Sequence, residues 1–202
     1  MPGGPSFASL TDKPFYPERR AFLVKARLNV LLLLAIAAAL LTAGCAGSGR
    51  PDNGSAPTAT AIANASRDLY AGEFDQGFAH HASASGFFNN ATALWNDDDY
   101  AAAASLLKDA RVEYAVAESH YGRMAGYAAD DGERAFAGAL EESAMDMDAA
   151  TSRYLMSIDA AMADNDTASL EYFEEGQDLV DRSMAALNQS FDLMPSYLSE
   201  AN

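Results

Sequence analysis

Beyond about residue 66 the chain alternates apolar and polar positions in steps of four and three. Tyr70, Phe74, Gly77, His81, Ala84, Phe88, Ala91 and Trp95 make a first run, and Ala103, Leu107, Ala110, Tyr114, Ala117, Tyr121, Met124 and Ala128 a second. Phe136, Leu140, Ser143, Met147, Ala150, Tyr154, Ser157 and Ala161 make a third, and Leu170, Phe173, Gln177, Val180, Met184, Leu187, Phe191 and Met194 a fourth. Of these 32 positions 27 are apolar, where a 50% apolar composition supplies 16, so the stripe is a property of the sequence order. A 4,3 step keeps one face of a helix apolar and excludes the period of two that a strand needs. The runs predict an all-α domain, an antiparallel four-helix bundle of long helices over residues 66–202.

Polar clusters separate the runs. Asn96-Asp97-Asp98-Asp99, Asp130-Asp131-Gly132-Glu133 and Asp164-Asn165-Asp166-Thr167 begin 34 residues apart. Asp and Asn there can accept hydrogen bonds from the free amides of a helix start, and Asp130 with Glu133 has capping-box spacing. No proline stands between Pro57 and Pro195 to stop a helix. The interval equals that of tetratricopeptide repeats, but those need a turn halfway, and no turn cluster lies between the acidic breaks. One helix of about 30 residues per interval, roughly 45 Å long, is expected. Gly86, Gly138 and Gly176 weaken these helices without ending them.

A different pattern precedes this domain. From Leu28 to Gly44 only Asn29 and Thr42 are polar, a run of 17 residues. A spanning helix takes about 20, so length alone leaves a membrane span and a cleaved signal both open. Arg19, Arg20, Lys25 and Arg27 stand before the run and small residues close it, the order of a charged flank, an apolar core and a cleavage site. The closing Leu41-Thr42-Ala43-Gly44-Cys45 resembles a lipobox, at which prokaryotic lipoproteins are cut and lipidated on cysteine; Thr42 stands where that motif has a branched apolar residue. The resemblance implies a lipid on Cys45, the chain's one cysteine, and a protein held at the extracytoplasmic face of the cell membrane. The alternative is an uncut signal anchor. Residues 1–24 form a long lead-in, which fits either a translation start further in, such as Val24, or the resemblance of Arg19-Arg20-Ala21-Phe22-Leu23 to a twin-arginine export motif. The chain thus divides into a signal segment, 1–44, a lipidated cysteine with a tether of small residues, 45–65, and the bundle, 66–202.

Charge narrows the partners. Two of the 29 acids and five of the 13 basic residues precede Cys45, so the chain beyond it carries 27 acids against 8 bases, a net −19. Such a surface repels phosphate backbones, which argues against nucleic-acid binding. Low lysine with abundant acid resembles the proteins of salt-loving archaea, or of other acidic proteomes. Asn53, Asn64, Asn90, Asn165 and Asn188 head Asn-x-Ser/Thr sequons, five of nine asparagines, which points to a glycosylating, extracytoplasmic setting. Asn53, Asn64 and Asn165 fall in the tether or a loop and are the candidate sites; Asn90 and Asn188 fall within predicted helices.

Catalytic chemistry has little to draw on. The three histidines, His80, His81 and His120, lack the Glu-x-x-His pattern of di-iron bundles, and Asp164 and Asp166 lack the glycine of a calcium loop. No phosphate loop, metalloprotease helix or nucleophile elbow is present, and no cofactor or metal is expected. His81 lies on the seam, where a carbonyl or hydroxyl partner across the core is expected. Phe74, Phe88, Trp95, Tyr114, Tyr121 and Tyr154 read as core, and Glu141, Glu142, Asp146 and Asp148 as a solvated face. Two functions remain open: a non-catalytic anchored bundle serving as spacer or docking surface for an envelope component, and a ligand- or cation-binding sensor bundle.

Overall fold

A computed structural model describes residues 59–199. Four long helices, α1 (Ala59–Asn96), α2 (Tyr100–Tyr127), α3 (Asp131–Met162) and α4 (Asp166–Leu193), run alternately up and down, followed by a single turn, α5 (Ser196–Ser199). There is no strand among the described residues. Consecutive helices make the close contacts: α1 with α2, α2 with α3 and α3 with α4. This is the all-α bundle that the four apolar runs predict, with one helix per 34-residue interval. α1 begins at Ala59, ahead of the composition change at Ser66.

The acidic breaks stop one helix and start the next. Asp98 (φ 61°) and Asp164 (φ 56°) take the left-handed conformation that ends a helix, one that short polar side chains tolerate. The residue after each is the next N-cap: the Asp99 side chain accepts from Ala102 N at 3.2 Å, and that of Asn165 from Ala168 N at 3.2 Å. At the middle break Asp130 accepts from Glu133 N at 2.8 Å, while the buried Glu133 carboxylate reaches back to Ala129 N at 2.6 Å. Amides left free by the first turn of each helix are thereby satisfied.

Of the 32 seam positions only Leu170 is exposed. The fourth helix nevertheless differs from expectation. Its most buried stripe is Gly176, Val180, Ser183, Leu187 and Ser190, so Gln177, Met184 and Phe191 flank the contact and are half-buried. Small residues sit there because α3 and α4 meet closely. Ser143 and Ser183 hydroxyls are 2.8 Å apart, and a Cβ on Gly176 would lie 3.2 Å from the Tyr154 ring. Periodicity weighted by bulky apolar residues does not register glycine and serine. Every buried hydroxyl on this side has a partner: Ser183 also donates to Ser143 O, Ser157 to Ser169 O and Thr151 to Met147 O.

α1 and α2 cross closely at Gly77. A Cβ there would stand 2.7 Å from Tyr121 Cε1 and 3.1 Å from His120 Cβ, closer than atoms pack. At the bundle's lower end, where α1 and α3 start and α2 and α4 finish, α5 folds over the base. Leu198 is buried there, and Tyr197 donates to Glu133 Oε1 at 2.8 Å beneath the Arg67 guanidinium. Tyr70, fully buried, donates to Glu133 O at 2.7 Å.

Two glycine substitutions in α1 should therefore act in opposite directions. Gly77→Ala forces the Tyr121 ring aside and should lower stability by about 1–3 kcal/mol. Gly86 has open space where a Cβ would stand, with no atom within 4 Å, so Gly86→Ala should raise stability by about 0.5–1 kcal/mol through helix propensity alone. Urea melts of both variants with unchanged slope check the pair.

Candidate functional site

The interior is filled. Phe88 packs on Tyr154 with ring centres 5.4 Å apart, Trp95 on Phe173 at 5.5 Å and Phe74 on Phe136 at 5.7 Å. Gln177 hydrogen-bonds the Tyr154 hydroxyl. The aromatics are core packing against core. A cleft beside Phe74, Phe78, Leu187 and Phe191 encloses about 10 Å³, room for about one water, whereas a small-molecule site takes several hundred. No described helix is long and apolar enough to cross a membrane.

A concentration of titratable side chains lies at the α1–α2 crossing, where His80 and His120 meet. His80 Nδ1 lies 2.6 Å from Glu113 Oε2, and His120 Nδ1 lies 2.7 Å from Glu73 Oε2. The two imidazoles stack with centres 5.5 Å apart and planes inclined by 14°. Arg123 closes the group, its Nε 3.1 Å from Glu73 Oε2 and its NH2 2.7 Å from His120 Nδ1. Burial would raise the Glu73 carboxyl, but the Arg123 and His120 hydrogen bonds and charges outweigh it and hold the group below the usual carboxylate range. At His120 Nδ1 Glu73 can only accept and Arg123 can only donate, so the two contacts make opposite demands on that nitrogen's proton.

A repeat in the sequence underlies this geometry. Glu73 and His80 are seven apart on α1, and Glu113 and His120 are seven apart on α2. Seven residues are two helical turns, so each helix presents both groups on one side, and antiparallel pairing sets each glutamate against the other helix's histidine. The Glu-x6-His spacing was visible in the chain. Only the pairing register, fixed at Gly77, shows that its two copies face each other.

His81 departs from expectation. It is buried, 7% exposed, but its Nδ1 has no hydrogen-bond partner; the ring instead meets Tyr114 edge-on at 5.3 Å and leans on Tyr121 at 6.3 Å. The Tyr121 hydroxyl is also buried without a partner. Aromatic packing has taken the place of the expected carbonyl or hydroxyl. The acids read as a solvated face are corrected too. Asp148 binds Arg111 at 2.9 Å and Asp146 binds Arg182 at 2.6 Å, and Glu141 is half-buried with its Oε1 placed 3.0 Å from a Cβ built on Gly122. Only Glu142 is exposed.

Asn64, expected in the tether, instead lies exposed within α1, which starts at Ala59, and Asn90 and Asn188 are exposed on α1 and α4. Asn165 is exposed at the upper turn, where its side chain caps α4. Cys45 and Asn53 lie outside the described residues. Among the described residues no group of three or more His, Cys, Asp or Glu is arranged to hold a metal ion. Comparison with known proteins returns no matching family model, no matching curated protein and no matching solved structure. The class is thus defined by architecture alone, an acidic antiparallel four-helix bundle.

Burial holds the His81 imidazole down at about 4, against 6.5 for an ordinary histidine. The unfolded chain takes up a proton that the bundle refuses, so this contribution is complete above about pH 6.5 and is lost as pH falls toward 4. It amounts to at most about 3 kcal/mol. His81→Leu should remove it: between pH 7 and pH 4 the parent should lose more stability than the variant, read as the difference between their urea midpoints at each pH.

Proposed function

We propose that the chain is a lipid-anchored, extracytoplasmic lipoprotein whose bundle is a non-catalytic spacer and docking body for another component of the cell envelope. The observation that carries this reading is the bundle's polarity combined with its solid interior. The segment after Cys45 joins the bundle at the start of α1, at the same end as α5. The turns at 97–99 and 163–165 lie at the other end, and α1, 38 residues long, would span roughly 57 Å. A rigid body attached at its base presents its far end away from the anchor. The packed aromatic core supports a mechanical or docking role over binding of a ligand inside the bundle.

Supporting features are the charged flank, apolar core and Leu41-Thr42-Ala43-Gly44-Cys45 boundary, and the exposure of Asn64 and Asn165 for glycan attachment. The net negative surface suits a partner with a basic face, and opposes nucleic acid.

The anchor is tested by Cys45→Ser in the native host with a radiolabelled lipid precursor. The parent should carry label and fractionate with membranes; the variant should carry none and be either uncut or released. Equal label in both would overturn the lipoprotein reading. A thermal-shift screen of small metabolites addresses the role: a spacer should show no shift, whereas a bound ligand stabilises by RT ln(1 + [L]/Kd).

A further inference from the structure

We infer that the seam between α1 and α4 is a docking groove for a basic amphipathic helix of a partner protein. The apolar face of that helix lies on Phe74, Phe78, Met184 and Phe191, and its lysines or arginines meet acids on the groove's lips. The inference rests on the reading of the bundle as a docking body, and adds the surface and the kind of partner.

Packing sets this seam apart from the other three. Close backbone approach joins α1 to α2, α2 to α3 and α3 to α4, and nothing comparable joins α4 back to α1 among the described residues. Glycine lets helices meet at two of the closed seams, Gly77 against Tyr121 and Gly176 against Tyr154. Across the fourth, large side chains face each other. Trp95 meets Phe173 near the upper end with ring centres 5.5 Å apart. Lower down, Phe74 and Phe78 of α1 and Phe191 and Met194 of α4 line a shallow cleft, with Phe136 of α3 between them. Interaxial distance follows the size of the side chains at the contact, so these helices stand apart.

The result is apolar area left partly open. Phe74, Phe78, Met184, Phe191 and Met194 are half-buried, whereas Tyr121, Met124 and Met147 on the apolar stripes of α2 and α3 are buried. Met184 and Phe191 are seven residues apart and Phe74 and Phe78 four, so each pair runs along one edge of its helix. Two such edges with a gap between them form the groove in which an amphipathic helix lays its apolar face.

Charge says what kind of helix fits. Glu73, one residue before Phe74, reaches α2 through His120 and Arg123, so Asp75, one residue after Phe74, lies on the side turned away from α2. Asp192 stands in the same relation to Phe191, because Ser190 on its other side is buried in the core. Both acids are exposed. The basic side chains are placed elsewhere. Arg123 bridges α1 to α2, Arg111 bridges α2 to α3, and Arg153 and Arg182 bridge α3 to α4. Arg134 pairs within α3, and Arg67 lies over the Tyr197 ring at the base. Each closed seam thus has its own cation, and no arginine spans the open one among the described residues. A second copy would set acidic lips against acidic lips. A basic helix supplies the cations and the apolar cover together.

The probe is a fluorescent peptide of about 18 residues, leucine and lysine only, with the leucines on one helical face. It is titrated with full-length protein in 0.15 M NaCl, beside a peptide of the same composition scrambled so that no apolar face forms. Saturable binding of the amphipathic peptide is expected. In protein carrying ¹³C-methyl methionine, the Met184 and Met194 signals should move while those of Met145 and Met162, exposed on α3, stay. Asp75→Lys combined with Asp192→Lys should weaken binding by about 10-fold. Asp109→Lys with Glu142→Lys makes the same change in net charge at exposed sites on α2 and α3 and should leave binding within about twofold. Equal weakening by both pairs, equal binding of the scrambled peptide, or Met184 and Met194 signals that stay in place would each overturn the inference. So would sedimentation of the protein alone as a dimer whose Met184 and Met194 signals shift with concentration, since a second copy would then fill the groove. Any of these results rejects the groove alone, because Cys45→Ser labelling and the thermal-shift screen test the anchored docking body without the peptide.

Discussion

Mutual repulsion of carboxylates is the constraint that this bundle has to satisfy. Residues 59–199 carry 25 acids and seven basic groups, so helices packed side by side bring like charges together along their whole length. The arrangement of the few cations answers this. Arg123 joins α2 to α1 through Glu73, Arg111 joins α2 to α3 through Asp148, and Arg153 and Arg182 join α3 to α4 through Glu175 and Asp146. Arg134 pairs within α3 with Asp131, and Arg67 covers Tyr197. Four of six arginines thus bridge consecutive helices. Each exposed pair contributes little, about 0–1 kcal/mol, but their placement puts attraction at the three interfaces where repulsion would act. Other acids are absorbed as helix starts, where the free amides and helix dipole favour negative charge.

With charge handled at the edges, cohesion falls to the interior, and there shape decides. The core combines bulky aromatics, such as Tyr114, Tyr121 and Tyr154, with alanine, serine and glycine at the same crossings. Gly77 admits the Tyr121 ring and Gly176 the Tyr154 ring. Small-against-large packing of this kind brings helix axes close. It also fixes register, and register is what sets Glu73 against His120 and His80 against Glu113. The proposed function thus descends from the packing, a rigid body because the core is dense.

Much of this was legible in the sequence. The 4,3 stripe identifies four helices because burial demands one apolar face, and the Asp- and Asn-rich breaks mark helix starts because capping demands a short polar acceptor. Contacts between elements could not be read in the same way. Asp146 and Asp148 look like solvated acids until Arg182 and Arg111, 36 and 37 residues away, are placed beside them. Gly176 and Ser183 lie where α3 and α4 meet closely yet contribute nothing to a hydrophobic pattern. Tyr197 and Leu198 follow Pro195, which reads as an end, whereas the chain turns there and seals the base with α5. His81 illustrates the same limit: the seam placed it inside, but only its neighbours could show two tyrosine rings rather than a hydrogen-bond acceptor.

If surplus negative charge is the constraint that the fold works against, screening must help more than it harms. The direct measurement is the urea midpoint of the full-length protein as NaCl rises from 0.1 to 1 M, over which the Debye length falls from about 10 to 3 Å. A midpoint that climbs at constant slope is the predicted result, because repulsion among many unpaired acids is relieved while few arginine bridges are weakened. A midpoint that falls with salt would mean that the bridges outweigh the repulsion, and would contradict the account.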